Sequence, residues 1–491
     1  MKYLTRNFNY FTKLGVKGPR PLPIFGNLWE RLFTSLPELD IKWQRKYGKI
    51  YGVYDGNEPI LMVTDPELIK HILVKDFHIF QDRFPVSKSN NHPIIGKMLT
   101  ELRGDDWKRV RSVTTPVFTS VKLKAMYPTV RESAEGFATT LDKYAKDKGV
   151  INAKDLFGCY TMDVISNCGF AIKSDAFKDP NNPFVVNGEV IIEVPVWKLL
   201  LPEFALNILN IKTFLNEKSV TFFSPIVRQI LKIREKSKTK SNDFIDLMMS
   251  VRHEANCIDD GEEESGIEKK ILNIKASNKF ITEDEMIAQG FIFFAAGNVT
   301  ANNTMAFCSY ELALNPEVQQ KLYEEVMSSL DTNGEIDYEV LTKLAYLDAV
   351  IAETLRLHTP TIKVGRNAIQ DYPLADTGIT IPKGQIIQIP IYAIHYSEEY
   401  YPNPEEFIPD RFLPENRHNI MPYTYLPFSA GPRNCIGMRF ALMEMKVGLA
   451  HIIRRFKFVR SPQTEVPVTI VKNIPLKCAK SLTVGIESRV Y

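Results

Sequence analysis

The ten residues Phe428-Ser429-Ala430-Gly431-Pro432-Arg433-Asn434-Cys435-Ile436-Gly437 decide the reading of this chain. A single cysteine sits in a loop, flanked by two glycines, with an arginine two positions ahead of it. Glycine lets the backbone come close to a neighbour and take a positive φ, which a bulkier residue resists. Arginine is a permanent cation with a rigid fork of donors, suited to a carboxylate. A polarised thiolate, a close backbone and a carboxylate-binding arginine together suit a haem, with iron on sulfur and a propionate on the guanidinium. Phe428 and Ile436 limit water near the sulfur. A lone cysteine is more often an ordinary buried thiol. The spacing Phe428-x-x-Gly431-x-Arg433-x-Cys435-x-Gly437 argues against that here.

The decapeptide resembles the cysteine loop of the cytochrome P450 family, the haem-thiolate monooxygenases, and agrees with it at five spaced positions. The resemblance implies a mainly α-helical fold with a small β-rich lobe. It also implies heme b, iron protoporphyrin IX, with Cys435 as the metal ligand and Phe428, Arg433 and Gly437 as further cofactor contacts.

Upstream, Thr282-Glu283-Asp284-Glu285 is a capping box. It predicts a helix running to Leu314 and stopped by Pro316. Phe291, Phe293 and Phe294 make that helix apolar nearly all round, as a buried helix is. In its middle lies Ala296-Gly297-Asn298-Val299-Thr300. Small residues admit a flat cofactor, and a threonine hydroxyl can bond back to a carbonyl and bend the helix. By resemblance this is the oxygen-binding groove, with Thr300 as the proton-relay alcohol and Gly297 and Asn298 as catalytic neighbours. Phe293 and Ala296 are expected to face the substrate cavity. Most family members carry Asp or Glu immediately before that threonine. This chain has Val299, which carries no proton, and Asn298 is left to hold a water.

Asp105 to Phe118 has a helical pattern that puts Trp107 and Arg111 on one face, since residues four apart are neighbours. The resemblance implies that both hold haem propionates, and that Arg366 does too. Glu353-Thr354-Leu355-Arg356, in a predicted helix from Leu341 to Leu357, resembles the family's Glu-x-x-Arg, with Arg411 as the arginine it locks against. Buried charges need such pairing, so these three residues are read as structural. By resemblance Pro360 and Thr361 begin a strand facing the cavity, which Thr361 and Ile362 are expected to line, and Ile474 lies in a turn that reaches it. The segment Lys49 to Thr64, broken by Asp55-Gly56-Asn57, reads as a β-hairpin. Met438 to Phe456 reads as a helix whose N-terminus points at Cys435, and Val466 to Glu487 as short strands.

The composition is globular, with 44% hydrophobic and 24% charged residues. With a net charge of only +3, nothing points to a nucleic-acid binder as a whole. Six cysteines at wide spacings form neither a zinc pattern nor a disulfide framework. Residues 1–17 contain no run of 18 apolar residues and cannot span a bilayer. The proline-rich segment Lys17 to Pro23 follows. It resembles the hinge that microsomal members carry after a transmembrane anchor, so the chain is read as an N-terminal segment (1–17) without an anchor and one catalytic domain (18–491). Val190 to Ile211 is apolar but broken by Pro195 and Pro202, which suits either buried core or a surface dipping into lipid. Cys257 to Lys279 reads as an exposed linker.

The expected reaction is insertion of one oxygen atom from dioxygen into a small lipophilic substrate, a xenobiotic or an endogenous lipophile. The resemblance is to the insect microsomal branch and its mammalian drug-metabolising relatives. It implies electrons from NADPH through NADPH-cytochrome P450 reductase, cytochrome b5 as a second donor, and the cytosolic face of the endoplasmic reticulum membrane. Lys108, Arg109, Arg439 and Lys446 are expected to form a basic patch for the reductase. Two other readings stay open. One is a reductase-independent haem-thiolate isomerase or dehydratase. The other is a poorly catalytic haem protein that sequesters hydrophobic ligands.

Overall fold

The computed structural model describes residues 5–489 apart from 84–91, 147–148, 175, 178, 180, 193–197, 199–207, 210, 212–214, 238–242, 254–279 and 473–475. Most of Val190–Ile211, all of Cys257–Lys279, and Ile474 therefore lie outside the described residues.

Local signals place the elements. Ser35 and Glu38 form a capping box that opens helix α1, Leu36–Tyr47. Strands β1 (Ile50–Asp55) and β2 (Glu58–Val63) pair antiparallel through Asp55↔Glu58, with Gly56 at φ +60° in the turn. Helix α2 spans Gly104–Thr114, and the chain tightens into a 3-10 turn at Thr115–Phe118, where Pro116 cannot continue the α-helical bonding. Helices α3 (Ser120–Lys146) and α4 (Ala153–Phe170) follow, with the short strand β3 (Val150–Asn152) between them. Helices α5 (Glu217–Lys236) and α6 (Phe244–His253) precede α7, Glu283–Leu314.

At the start of α7 the Thr282 N–H donates to Glu285 Oε2 at 2.8 Å and the Glu285 N–H donates to Thr282 Oγ1 at 3.3 Å. Both ends of the expected helix hold. Helix α8 is Pro316–Ser328 and α9 is Ala345–Leu357. The helix expected from Leu341 is thus two pieces, Tyr338–Leu341 and α9, with a turn between them. Strands β4 (Val364–Asn367) and β5 (Ile386–Ile389), the short helix α10 (Ile391–His395), helix α11 (Met438–Ile453) and strands β6 (Phe456–Val459) and β7 (Thr483–Ser488) follow. Among the described residues of Val466–Glu487 regular strand begins only at β7, with isolated pairs such as Ile470↔Ala479 and Thr361↔Leu476 before it.

One sheet has the order β1-β2-β5-β4, with β2 and β5 parallel and the other pairs antiparallel. Another has the order β3-β7-β6. Helix α7 runs through the helical core. Gly297 sits so close to α4 that an added Cβ would lie 2.3 Å from Ile165 Cδ1. The apolar surface buried in this core is the main driving force for the fold. A second cluster, including Leu61, Ile72, Leu73 and Ile387, packs around the β1–β2–β5–β4 sheet. The N-terminal segment is not apart from this sheet. Phe11 is buried, its ring fills the space above Gly52, and its N–H donates to Tyr54 Oη at 3.3 Å. Among the described residues no helix is long and apolar enough to cross a membrane.

Candidate functional site

The cysteine loop is closed by its own backbone. The Cys435 N–H donates to Phe428 O at 2.9 Å and the Asn434 N–H to Gly431 O at 2.9 Å. Gly431 has φ +72°, and a Cβ there would lie 1.9 Å from Leu73 O, so only glycine fits. Gly437 differs. Its φ is −87°, and a Cβ would meet only a Phe118 ring carbon at 4.0 Å. Nothing among the described residues demands glycine there, and its missing side chain leaves room for a flat group against the loop.

Cys435 has open surface, yet the protein around it is dense enough that burial raises its thiol above the ordinary value. The Gly437 N–H, Arg111 and Arg83 oppose that shift by favouring the thiolate. Helix α11 starts three residues later and adds its positive end.

Four arginines gather beside this loop. Arg433 and Arg366 are each 1% exposed. Arg433 donates to Leu102 O at 2.5 Å and lies 3.9 Å from Asp82, while its Nε and Nη1 have no hydrogen-bond partner among the described residues. Arg366 donates from Nη1 to Gly365 O at 2.9 Å, and its Nε and Nη2 likewise lack partners. Arg83 donates to Arg433 O at 2.6 Å, and its Nε is also unpartnered. Arg111 holds the loop, donating to Asn434 O at 3.2 Å and Asn434 Oδ1 at 2.7 Å. Burial, with repulsion from Arg83, Arg366 and Arg111, drives Arg433 down to about 8. Burial and Arg83 drive Arg366 down to about 9.

Unsatisfied buried donors are costly, and Asp82 and Glu101 supply only part of the counter-charge. The donor set therefore fits a group bringing two carboxylates, as a haem does. Trp107 is buried under Arg433, with 4.4 Å between guanidinium carbon and ring centroid. Arg83 lies in the long irregular stretch after Phe77 and was missed from sequence. A single arginine there carries no pattern. The Asp82↔Asn367 bridge brings it to Arg366.

On α7, Ala296 is exposed and Ile292 and Thr300 are half-buried, so these residues share the open face. Thr300 Oγ1 donates to Ala296 O at 2.7 Å, and Thr304 Oγ1 to Thr300 O at 2.8 Å. Asn298 is 1% exposed and turned the other way, accepting from Thr161 Oγ1 at 2.6 Å. That corrects the expectation that it holds water for Thr300. Gly297 also faces α4, where it permits close helix packing. Phe293 stacks on Phe244 at 4.5 Å and packs against Phe118 and Phe440, so its ring belongs to an aromatic cluster and not to the open face. Val299 is buried. Thr361 is half-buried and paired with Leu476, whereas Ile362 is 1% exposed and lines no open space.

Glu353 and Arg356 are fully buried and joined by two bonds of 2.7 and 2.8 Å. Arg356 also donates to His395 O, Pro404 O and Glu406 O. Arg411 Nε reaches Glu353 Oε1 at 3.4 Å, and the Ile408 N–H reaches it at 2.9 Å. The structure thus brings all three singled-out residues together. The basic patch fares differently. Arg109 is buried against Glu285 at 2.5 Å, and Lys446 is buried, with Asp348 at 2.6 Å. Neither presents a free cation. Arg439 is exposed, and Lys108 pairs with Asp105.

Comparison with known proteins gives the family. The family model described as Cytochrome P450 matches residues 16–480. Cytochrome P450 3A9 of Rattus norvegicus is 34% identical over 503 residues, covering 99% of this chain and 94% of that protein. Cytochrome P450 3A29 of Sus scrofa is 35% identical over 483 residues, covering 95% and 90%. Cytochrome P450 3A11 of Mus musculus is 34% identical over 500 residues, covering 99% and 94%. The chain belongs to the cytochrome P450 family of haem monooxygenases, whose cofactor is haem b and whose electrons come from NADPH through a reductase.

Proposed function

We propose that Cys435 is the haem's iron ligand and that Arg83, Arg366, Arg433 and the Trp107–Arg111 helix face hold its propionates. The observation that carries this is the set of buried, unpartnered guanidinium N–H groups on Arg366 and Arg433 beside the loop. When bound, the haem supplies dioxygen activation, helped by electron donation from the thiolate. The protein supplies binding, orientation and proton handling. Thr300 Oγ1 gives its own proton to Ala296 O, which leaves its lone pairs free to accept from a water or a substrate. Phe428 and the Phe118–Phe293–Phe440 cluster keep water from the thiolate side.

The substrate is a small apolar molecule, in keeping with the exposed Ala296 and the half-buried Ile292 and Thr361. A xenobiotic or an endogenous lipophile fits equally. Residues 18–491 act as one catalytic unit. Leu22, Ile24, Phe25 and Phe33 are exposed apolar side chains near the start of the chain. They suit contact with a lipid surface, which on this reading is the cytosolic face of the endoplasmic reticulum. Arg439 and other cations on the Cys435 side meet the acidic reductase, with cytochrome b5 as a second donor at the same face.

The test is a reconstituted turnover screen of apolar compounds with reductase and NADPH, read by product mass spectrometry. Oxygenated products with one oxygen from labelled dioxygen are expected. Products formed only from supplied peroxides, with NADPH unconsumed, contradict the proposal and favour a reductase-free isomerase.

A further inference from the structure

Lys477 lies far from the arginine cluster in sequence role and is almost wholly buried, at 4% exposure. Its ammonium sits 4.5 Å from the Tyr392 ring centroid, 5.5 Å from Phe307 and 5.7 Å from Tyr396. It donates to Leu357 O at 2.8 Å and to Tyr392 Oη at 3.0 Å, and lies 3.1 Å from His358 Nδ1. The other ring nitrogen, His358 Nε2, lies 2.6 Å from Glu311 Oε1 on α7. With Lys477 as an ammonium, which has donors only, His358 Nδ1 accepts, so Nε2 carries the proton and donates to Glu311. Burial, with Lys477 and Arg356 nearby, keeps this imidazole neutral. The ring is clamped from the other side by Phe307, stacked on it at 4.0 Å. Burial pushes the Lys477 ammonium down and the Glu311 carboxyl up, each to about 7, while each favours the charged form of the other across the neutral histidine that bridges them.

The backbone of the same residue joins three parts of the fold. The Lys477 N–H donates to Pro360 O at 2.9 Å. Lys477 O accepts from Asn303 Nδ2 at 2.6 Å. The preceding residue, Leu476, pairs with Thr361 in a single isolated bridge. Asn303 is three residues beyond Thr300 on α7, about 4.5 Å along the helix axis. A lone bridge is a weak register by itself, so the caged side chain supplies the anchorage.

We propose that Lys477 is a positioning residue that sets the spacing of the Ala296–Thr300 stretch of α7 from the Thr361–Leu476 pair, and so the width of ligand admitted between them. This rests on the reading of Ala296, Thr300 and Thr361 as the border of the substrate space. Glu311, His358, Phe307 and Tyr392 act through Lys477 by fixing its head.

The experiment uses haem-loaded protein and two nitrogen ligands of different width, imidazole and 4-phenylimidazole, titrated by the Soret difference spectrum. Imidazole reads the haem site itself, and 4-phenylimidazole reads the gap. Lys477→Met keeps an unbranched side chain and removes the ammonium. Asn303→Ala removes the bond to the Lys477 carbonyl and leaves the cage intact. The expected result in each variant is an imidazole affinity within about twofold of wild type and a 4-phenylimidazole affinity shifted by about tenfold, the scale on which a pocket resolves small changes in size. A wild-type ratio of the two affinities in the haem-loaded variants overturns the proposal. If neither variant retains haem, Lys477 is a folding residue and the proposal fails. If wild type gives no spectral response to imidazole, the haem reading fails instead, a distinct outcome.

Discussion

The guanidinium of Arg433 lies over the indole of Trp107, 4.4 Å from the ring centroid, although the two residues are far apart in sequence. Each stood in its own motif. Their contact is a cation–π pair in a buried setting, and it ties helix α2 to the cysteine loop. The same arginine keeps two N–H groups without partners among the described residues. These buried cationic donors without a partner among the described residues suit the carboxylates of the haem proposed above.

Replacing Arg433 with Met should have opposite effects with and without haem. Burial and its arginine neighbours push Arg433 down to about 8 from an ordinary value of 12.5. A lowered basic group is a cost to the folded state, present in full below the folded value and shrinking as pH rises from about 8 towards 12.5. The haem-free Arg433→Met protein should therefore be more stable than haem-free wild type at pH 7, by about 1–4 kcal/mol. The haem-loaded variant should lose cofactor faster than wild type. Urea unfolding of both forms, with haem transfer to a scavenger globin, measures the two signs. A variant destabilised in both forms would show that the cluster is not built for an anion.

Glu353 should matter more than Arg411. Removing Glu353 leaves Arg356, fully buried, without its carboxylate, which costs about 3–5 kcal/mol. Arg411 lies 3.4 Å from Glu353 and is partly exposed, so Arg411→Ala should cost less, about 1–3 kcal/mol. Haem content per protein and the urea midpoint give the ranking. A haem-replete, normally stable Glu353→Ala protein would count against a structural role.

The Arg109–Glu285 pair predicts an acid-sensitive joint between α2 and α7. Burial raises Glu285, but bonds from Arg109 and from the Thr282 N–H outweigh it, and the net shift is below the ordinary 4.5. A lowered carboxylate contributes stability that is full above the unfolded value and disappears as pH falls through the folded value. Wild type should therefore exceed Glu285→Gln in stability by a constant amount above about pH 4.5, with the difference closing on further acidification. Thermal unfolding of both proteins across that range is the check. A gap that widens on acidification would contradict the assigned sign.

On the proposed reading of Thr300 as the alcohol that handles protons, Val299 leaves it without an acid beside it. General acid–base help is typically worth about 10²–10⁴-fold, so wild type should leak part of its reducing equivalents to peroxide. Val299→Glu should raise product per NADPH. It should also cost stability, because Val299 is buried and a carboxyl there must be desolvated. Product and peroxide per NADPH, at matched haem content, decide. Tight coupling in wild type with no gain in the folded variant would mean that protons arrive by another route.

Much of this was legible in the sequence because its signals are local. The Asp55-Gly56-Asn57 turn, the Thr282–Glu285 capping box and Gly431 each act through neighbouring backbone, and each stands as expected. The Glu353–Arg356 pair is likewise a one-turn relationship on one helix. The misses are orientational or long-range. Helix α7 is apolar all round, so its pattern announces burial but not which residue meets which neighbour. Asn298 turned to Thr161 and Phe293 to Phe244 for that reason. Arg109 and Lys446 looked like solvated charges because Glu285 and Asp348, which bury them, lie far along the chain. Arg83 and Lys477 gave no motif at all, and only tertiary structure shows how enclosed they are.

The central claim is that Cys435 sulfur is the axial ligand, and the reduced, carbon-monoxide-bound absorption spectrum tests it most directly. Wild type should show the strongly red-shifted Soret band of thiolate ligation, and Cys435→Ala, reconstituted with haem, should lose it. A haem-loaded Cys435→Ala protein that keeps that band would place the iron on another sulfur and contradict the account.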